Sequence, residues 1–209
     1  STNPMAKPRT SNRDPEQLLG RFGSWLATAI GTTDEVRITS LGGPAGAGLS
    51  SDTLLLDLEW TAADGVHRRP VVLRLPPPDD AFPVFASYDF ARQVETIRVV
   101  RAGCAAPVPE ILWADTSGTV IGAPFFVMER VDGLVPPDIL PYTWGSWVTE
   151  LDDAAIATMT DDAVDALVAI HTVSPTDALL DGAVADAPTT PSGATMLQRH
   201  MDKVRAHFD

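Results

Sequence analysis

The 209-residue chain has one cysteine, Cys104. A single cysteine excludes an internal disulfide framework and a cysteine-built metal site, and it fits a reducing, cytoplasmic compartment. Lysine is nearly as scarce. Lys7 and Lys203 stand near the two ends, and every other fixed cation is arginine. Chemistry that needs a lysine in the body of the fold has nowhere to find one. No asparagine follows Asn12. No run of about 18 apolar residues occurs, so no membrane-spanning helix is expected. The start, Ser1-Thr2-Asn3-Pro4-Met5, lacks the apolar stretch of a secretory signal. Positive charge is also short: 15 Lys and Arg against 28 Asp and Glu leave a net charge of −13. That balance argues against a nucleic-acid surface and against an anionic membrane as partner.

What is present is the composition of a folded protein. Hydrophobic residues make up 44% and charged residues 21%, which excludes disorder over the whole length. Residues 1–14 are polar, carry Pro4 and Pro8, and read as a flexible arm. Asp14-Pro15-Glu16 is a helix start, and Leu18, Leu19, Phe22, Trp25, Leu26 and Ile30 follow at helical spacing up to Gly31. The period then changes to two. Val36, Ile38 and Leu41 predict a strand, broken by the stretch Gly42-Gly43-Pro44-Ala45-Gly46-Ala47-Gly48. Thr53 to Trp60 predicts a second strand, Asp64-Gly65 a hairpin turn, and Val71 to Leu75 a third strand stopped by three prolines.

A helix is predicted from about Ser87 to Ala102, with Phe90, Val94, Ile97 and Val100 on one face and Gly103 closing it. Ile111-Leu112-Trp113 predicts a short strand and Asp115 to Gly118 a turn. Pro124 to Met128 predicts a buried, central strand, because it is apolar throughout. Residues 129–142 have linker chemistry, with Gly133 and three prolines. Thr160 is predicted to cap a helix over Asp161–His171 whose packed face carries Val164, Leu167, Val168 and His171. Residues 174–195 read as a loop and 196–208 as a short amphipathic helix.

One arrangement in this order carries chemistry. The glycine-rich turn can lie over phosphate groups, because its backbone can approach closely and offer N–H donors. Arg74 interrupts an otherwise apolar third strand, and a cation there needs a partner, since burying it alone is costly. Glu95, in the following helix, is the natural one. Met128-Glu129-Arg130-Val131 follows a buried strand and offers backbone groups to a planar ring. The bland readings stand beside these. Gly42–Gly48 also suits an ordinary hairpin loop. It is no P-loop, because no Gly-Lys-Ser/Thr follows, and no dinucleotide fingerprint, because Ser51 stands where the third glycine belongs. Arg74 and Glu95 also suit a structural ion pair, Met128 core packing, and His171 packing at a helix end. Asp152, Asp153, Asp161 and Asp162 read as helix-start or solvated acids rather than metal ligands.

The order of these motifs resembles the aminoglycoside phosphotransferase/choline kinase-like family, within the protein-kinase-like fold. The resemblance rests on Leu41-Gly42-Gly43 to Gly48-Leu49-Ser50-Ser51, Val72-Leu73-Arg74-Leu75-Pro76, Tyr88 to Glu95, Pro107-Val108-Pro109, Pro124 to Gly133, Pro141-Tyr142 and Ile170-His171. It implies an α+β fold: a protein-kinase-like N-lobe, a five-stranded antiparallel sheet with one main helix, then the first helices of a truncated α-helical C-lobe. The implied divisions are 15–128 for the nucleotide-binding N-lobe, 129–135 for a hinge, and 136–209 for a partial helical C-lobe. By position, Gly46, Gly48 and Ser50 would cover the phosphates of ATP. Arg74 would grip them where many relatives have Lys, Glu95 would pair with Arg74, and Met128 would wall the adenine pocket. The backbone of Glu129 and Val131 would bond the adenine edge.

The family's catalytic loop, His-Gly-Asp with an Asn five residues after the Asp, is not found. His200-Met201-Asp202 and His207-Phe208-Asp209 lack the Asn and lie in a helical pattern. The expectation is therefore the ATP-binding portion of a small-molecule phosphotransferase, cut before its catalytic loop and inactive alone. No catalytic residue or metal ligand is assigned within the chain, and magnesium is expected to be held elsewhere. Partners would be ATP and a small hydroxyl acceptor. A homodimer is expected through a face exposed by truncation. The rival expectation is a non-catalytic nucleotide-binding or protein-interaction module.

Overall fold

A computed structural model describes residues 14–42, 52–77, 88–135 and 143–174, with 198, 201, 202 and 205. The chain divides into two units, one of Ser1–Phe85 with Leu112–Val131 and one of Ala86–Ile111 with Asp132–Asp209.

The first unit opens with helix α1, Pro15–Ile30. Asp14 caps it, its Oδ1 accepting from the Glu16 amide at 3.0 Å. Gly31 ends it with φ 80°, a left-handed turn that glycine enters without strain. Strands β1 (Arg37–Gly42), β2 (Asp52–Ala62), β3 (Gly65–Leu75), β4 (Ile111–Asp115) and β5 (Phe125–Glu129) form one sheet in the order β1-β2-β3-β5-β4. The pairs β1/β2, β2/β3 and β3/β5 are antiparallel. The expected α+β layout with a five-stranded sheet is therefore present, and β5 lies inside the sheet as its apolar sequence requires.

Alternation along the strands builds the core. Leu56, Leu58, Val71, Leu73, Leu75, Phe125 and Val127 form one cluster with Leu18, Phe22 and Leu26 of α1. The α1 residues recur every four positions, so they share one helix face. Phe125 is gripped edge-on by Phe22 and Trp25, with ring centroids at 5.7 and 5.0 Å. Each such fully buried side chain contributes about 1.5–3 kcal/mol.

Several expectations shift. The β2–β3 turn is Ala63-Asp64 rather than Asp64-Gly65, because Ala62 already pairs with Gly65. Asp64 instead serves the turn through its side chain, whose Oδ1 lies 2.7 Å from His67 Nε2. β3 starts six residues before the apolar run at Val71, since cross-strand partners such as Trp60 and His67, stacked at 5.3 Å, support polar positions too.

In the second unit, α2 spans Phe90–Gly103, starting later than Ser87 because Asp89 caps it, accepting from the Arg92 amide at 2.9 Å. Phe90 and Val94 are its buried residues. Gly103 belongs to its last turn, where a Cβ would meet Val173 Cγ1 at 2.9 Å. The Arg101 guanidinium donates to the Val108 carbonyl. A short 3₁₀ turn, Trp147–Glu150, is capped by Ser146. Helix α3 then runs over Asp153–His171.

This corrects the Thr160 expectation. The cap is Asp152, which accepts from the Ala155 amide at 2.8 Å. Nothing between Ala154 and Thr160 breaks a helix, so the helix runs through and the Thr160 hydroxyl donates back to the Ile156 carbonyl at 2.8 Å. The expected packed face is exposed as well: Val164, Leu167 and Val168 are 51–57% accessible, and His171 is exposed. Only periodicity was available to place that face, and periodicity does not supply a neighbour. Residues 198, 201, 202 and 205, within the last expected helix, are helical.

Candidate functional site

The sheet has two faces, and the β3 alternation separates them. Val71, Leu73 and Leu75 enter the core beneath α1, so Val72 and Arg74 lie on the opposite face. The ladder adds their neighbours. Arg74 pairs with Thr53 on β2 and Phe126 on β5, while Val72 pairs with Leu55 and Met128. Arg74, Phe126 and Met128 thus share one patch of the sheet.

Arg74 is half-buried, and its Cζ lies 5.8 Å from the Phe126 ring centroid. Phe126 is fully buried and Val72 nearly so. Burial draws the Arg74 pKa down from its ordinary value. A guanidinium remains charged even so, and the patch presents a partly desolvated cation among apolar side chains. Such a cation is suited to an anion, because the low-dielectric surroundings strengthen the attraction.

The glycine-rich link adjoins this patch through its second end. Residues 43–51 join Gly42 to Asp52, and Asp52 and Thr53 pair with Leu75 and Arg74. Gly46, Gly48 and Ser50 themselves lie outside the described residues.

At the end of β5, the Arg130 amide donates to the Pro70 carbonyl at 3.5 Å. Antiparallel pairing alternates, so the backbone groups of Met128 face β3 and those of Glu129 face the other way. Two ion pairs fix the side chains here. Glu129 Oε1 lies 3.8 Å from Arg69 Nη2, and Arg130 Nη1 lies 2.9 Å from Asp57 Oδ1. Val131 follows, 74% exposed. Glu95 lies on α2, in the second unit, and is exposed.

Elsewhere the first unit is stitched by surface charge. Glu59 bridges two strands, with Oε2 2.7 Å from Arg68 Nε and Oε1 3.2 Å from Arg37 Nη1. The Arg68 hydrogen bond holds its carboxyl below the ordinary 4.5. Burial pushes Asp115 up, but the Ser117 side chain and the amides of Val120, Ser117 and Gly118 outweigh it and leave the carboxyl below 3.8. Among the described residues, no three His, Cys, Asp or Glu side chains gather as metal ligands.

Sequence reasoning missed Phe126. The doublet Phe125-Phe126 was visible, but only the β3/β5 register shows which ring faces the core and which faces Arg74.

A family model described as the phosphotransferase enzyme family matches residues 44–202. The chain belongs to that family. The matched span starts in the glycine-rich link and takes in Arg74, Glu95 and Met128 to Val131. Among solved structures, this phosphotransferase-family chain is similar to a Ralstonia eutropha protein assigned as an aminoglycoside phosphotransferase. The two share 20% identity over 83% of this chain, with a TM-score of 0.44. The chain spans 43% of the length of that relative. No helix among the described residues is long and apolar enough to cross a membrane.

Proposed function

We propose that this phosphotransferase-family chain is the ATP-binding portion of a kinase-like enzyme that moves the γ-phosphoryl group of ATP to a hydroxyl of a small molecule. The observation that carries it is the Arg74 patch: a half-buried cation that shares a sheet face with Val72, Phe126 and Met128, next to the strand where a glycine-rich link re-enters the sheet at Asp52. These residues suit a nucleotide, which has a polyanionic end and a flat apolar end. Arg74 would hold the phosphates and Glu95 would orient it. The amides of Gly46 and Gly48 and the Ser50 hydroxyl would close over them. Met128 would wall the base, and the backbone of Glu129 and Val131 would bond its edge. ATP supplies the phosphoryl group; this chain's residues bind and orient it.

Lobes at 15–128 and 136–209 with a hinge at 129–135 and a cytoplasmic location belong to the same reading, the location supported by the single cysteine. Magnesium is assigned no ligand among the described residues. Since no asparagine follows Asn12, the chain alone is expected not to turn over ATP. The test is thermal unfolding with and without magnesium and ATP. The expected result is a rise in melting temperature that Arg74→Ala abolishes. An unchanged rise in that variant removes Arg74 from the site, and no rise in the parent chain removes the nucleotide.

The second reading is a non-catalytic interaction module. One observation favours it: α3 buries none of its residues and shows Ile156, Val164, Leu167, Val168 and Ile170 to solvent. A second copy of the chain would cover them. Sedimentation equilibrium decides this, since a monomer at about 100 μM excludes such a dimer at the affinities of ordinary interfaces.

A further inference from the structure

Arg74 and Phe126 are direct partners in the β3/β5 ladder, so they are neighbours on one face whatever their rotamers. The ring is fully buried, and the guanidinium carbon stands 5.8 Å from its centroid. A guanidinium is flat and weakly hydrated and lies well against a ring. An ammonium is a compact, strongly hydrated point charge that does not. The attraction between cation and ring grows where water is excluded, as it partly is here. Of the other positions on this face, Val72, Leu55 and Met128 are apolar, and Thr53, the β2 partner of Arg74, is polar.

We propose that Phe126 is the positioning residue for the Arg74 cation: its ring fixes the guanidinium on the sheet face, so that the N–H donors meet an anionic ligand in one orientation and arginine is required over lysine at this place. The ligand's identity as a nucleotide rests on the function proposed above; the positioning rests on the ladder and the ring distance alone.

The test combines a double-mutant cycle with a spectroscopic signature. Affinity for ATP with magnesium is measured for the parent chain, Phe126→Leu, Arg74→Lys and the double variant. Phe126→Leu is expected to weaken binding about tenfold beside Arg74 and less than about twofold beside a lysine. Equal losses in both backgrounds overturn the proposal. In parallel, the Nε–H resonance of Arg74 is followed by NMR. It is expected upfield of that of Arg37, shifted by the ring, and to move towards it in Phe126→Leu. A parent-chain resonance at the position of that of Arg37 overturns the proposal, and needs no variant to fold. If the parent chain binds no ATP, the nucleotide reading falls and the resonance alone decides the positioning.

Discussion

Leu73 and Leu167 are the same side chain in two regions of one molecule, one fully buried in β3 and the other 53% exposed on α3. Both lie in segments whose apolar residues recur with a clear period. The strand's apolar side chains found a partner, α1, within the same unit. Among the described residues, the helix's apolar side chains found none that buries them. Periodicity therefore reports which side chains share a face. It does not report what, if anything, covers that face.

The difference between the two regions has measurable consequences. The largest is expected at the Phe125 ring, which fills the space between α1 and the sheet. Phe125→Ala should cost about 3–5 kcal/mol, read from urea unfolding followed by the fluorescence of Trp25, the tryptophan packed on that ring. Leu73→Ala should cost about 2–5 kcal/mol by the same measurement, whereas Leu167→Ala should stay within about 0.5 kcal/mol. Equal costs at Leu73 and Leu167 would mean that α3 is covered in solution. Next in size is the α3 cap. Asp152→Ala should loosen the helix by about 1 kcal/mol in amide exchange of α3. Thr160→Ala should leave it unchanged or firmer by a few tenths, about 0.5 kcal/mol at most, because Thr160 lies inside the helix. A loss at Thr160 equal to that at Asp152 would restore a helix start at Thr160.

The smallest effect concerns acid. The carboxyls of Glu59 and Asp115 sit below their ordinary 4.5 and 3.8 in the folded chain. The folded state therefore holds fewer protons than the unfolded one through that range. Their stabilisation is present above the ordinary values and is lost as pH falls through the lowered ones. Urea midpoints measured from about pH 5 to about pH 3 should fall less steeply in Glu59→Gln and Asp115→Asn than in the parent chain. Parallel curves would show that neither carboxyl is held down.

Much of the first unit could be read from residues. Asp14, Pro15 and Gly31 bound α1 because capping chemistry is local. The strands followed from period two, and β5 from its unbroken apolar run. The turn at Ala63-Asp64 was placed one residue off, because the pairing of Ala62 with Gly65 depends on register across two strands. Thr160 misled for a related reason. Its hydroxyl can cap a helix or bond back inside one, and the presence of a better cap at Asp152 decides. In the candidate site, Arg74 stood out as a charge in an apolar strand, where it is half-buried. Phe126 did not stand out, because nothing in a run of apolar residues marks the one that faces a cation.

The amino-acid sequence by itself determined the local elements, the negative charge, the scarcity of lysine and cysteine, and the cation at position 74, since each depends on residue type or on spacing along the chain. Only tertiary structure decided that Phe126 lies opposite that cation and that Val164, Leu167 and Val168 of α3 stay exposed. Both are matters of which distant segments meet, and that depends on register and on available partners, which no local pattern encodes.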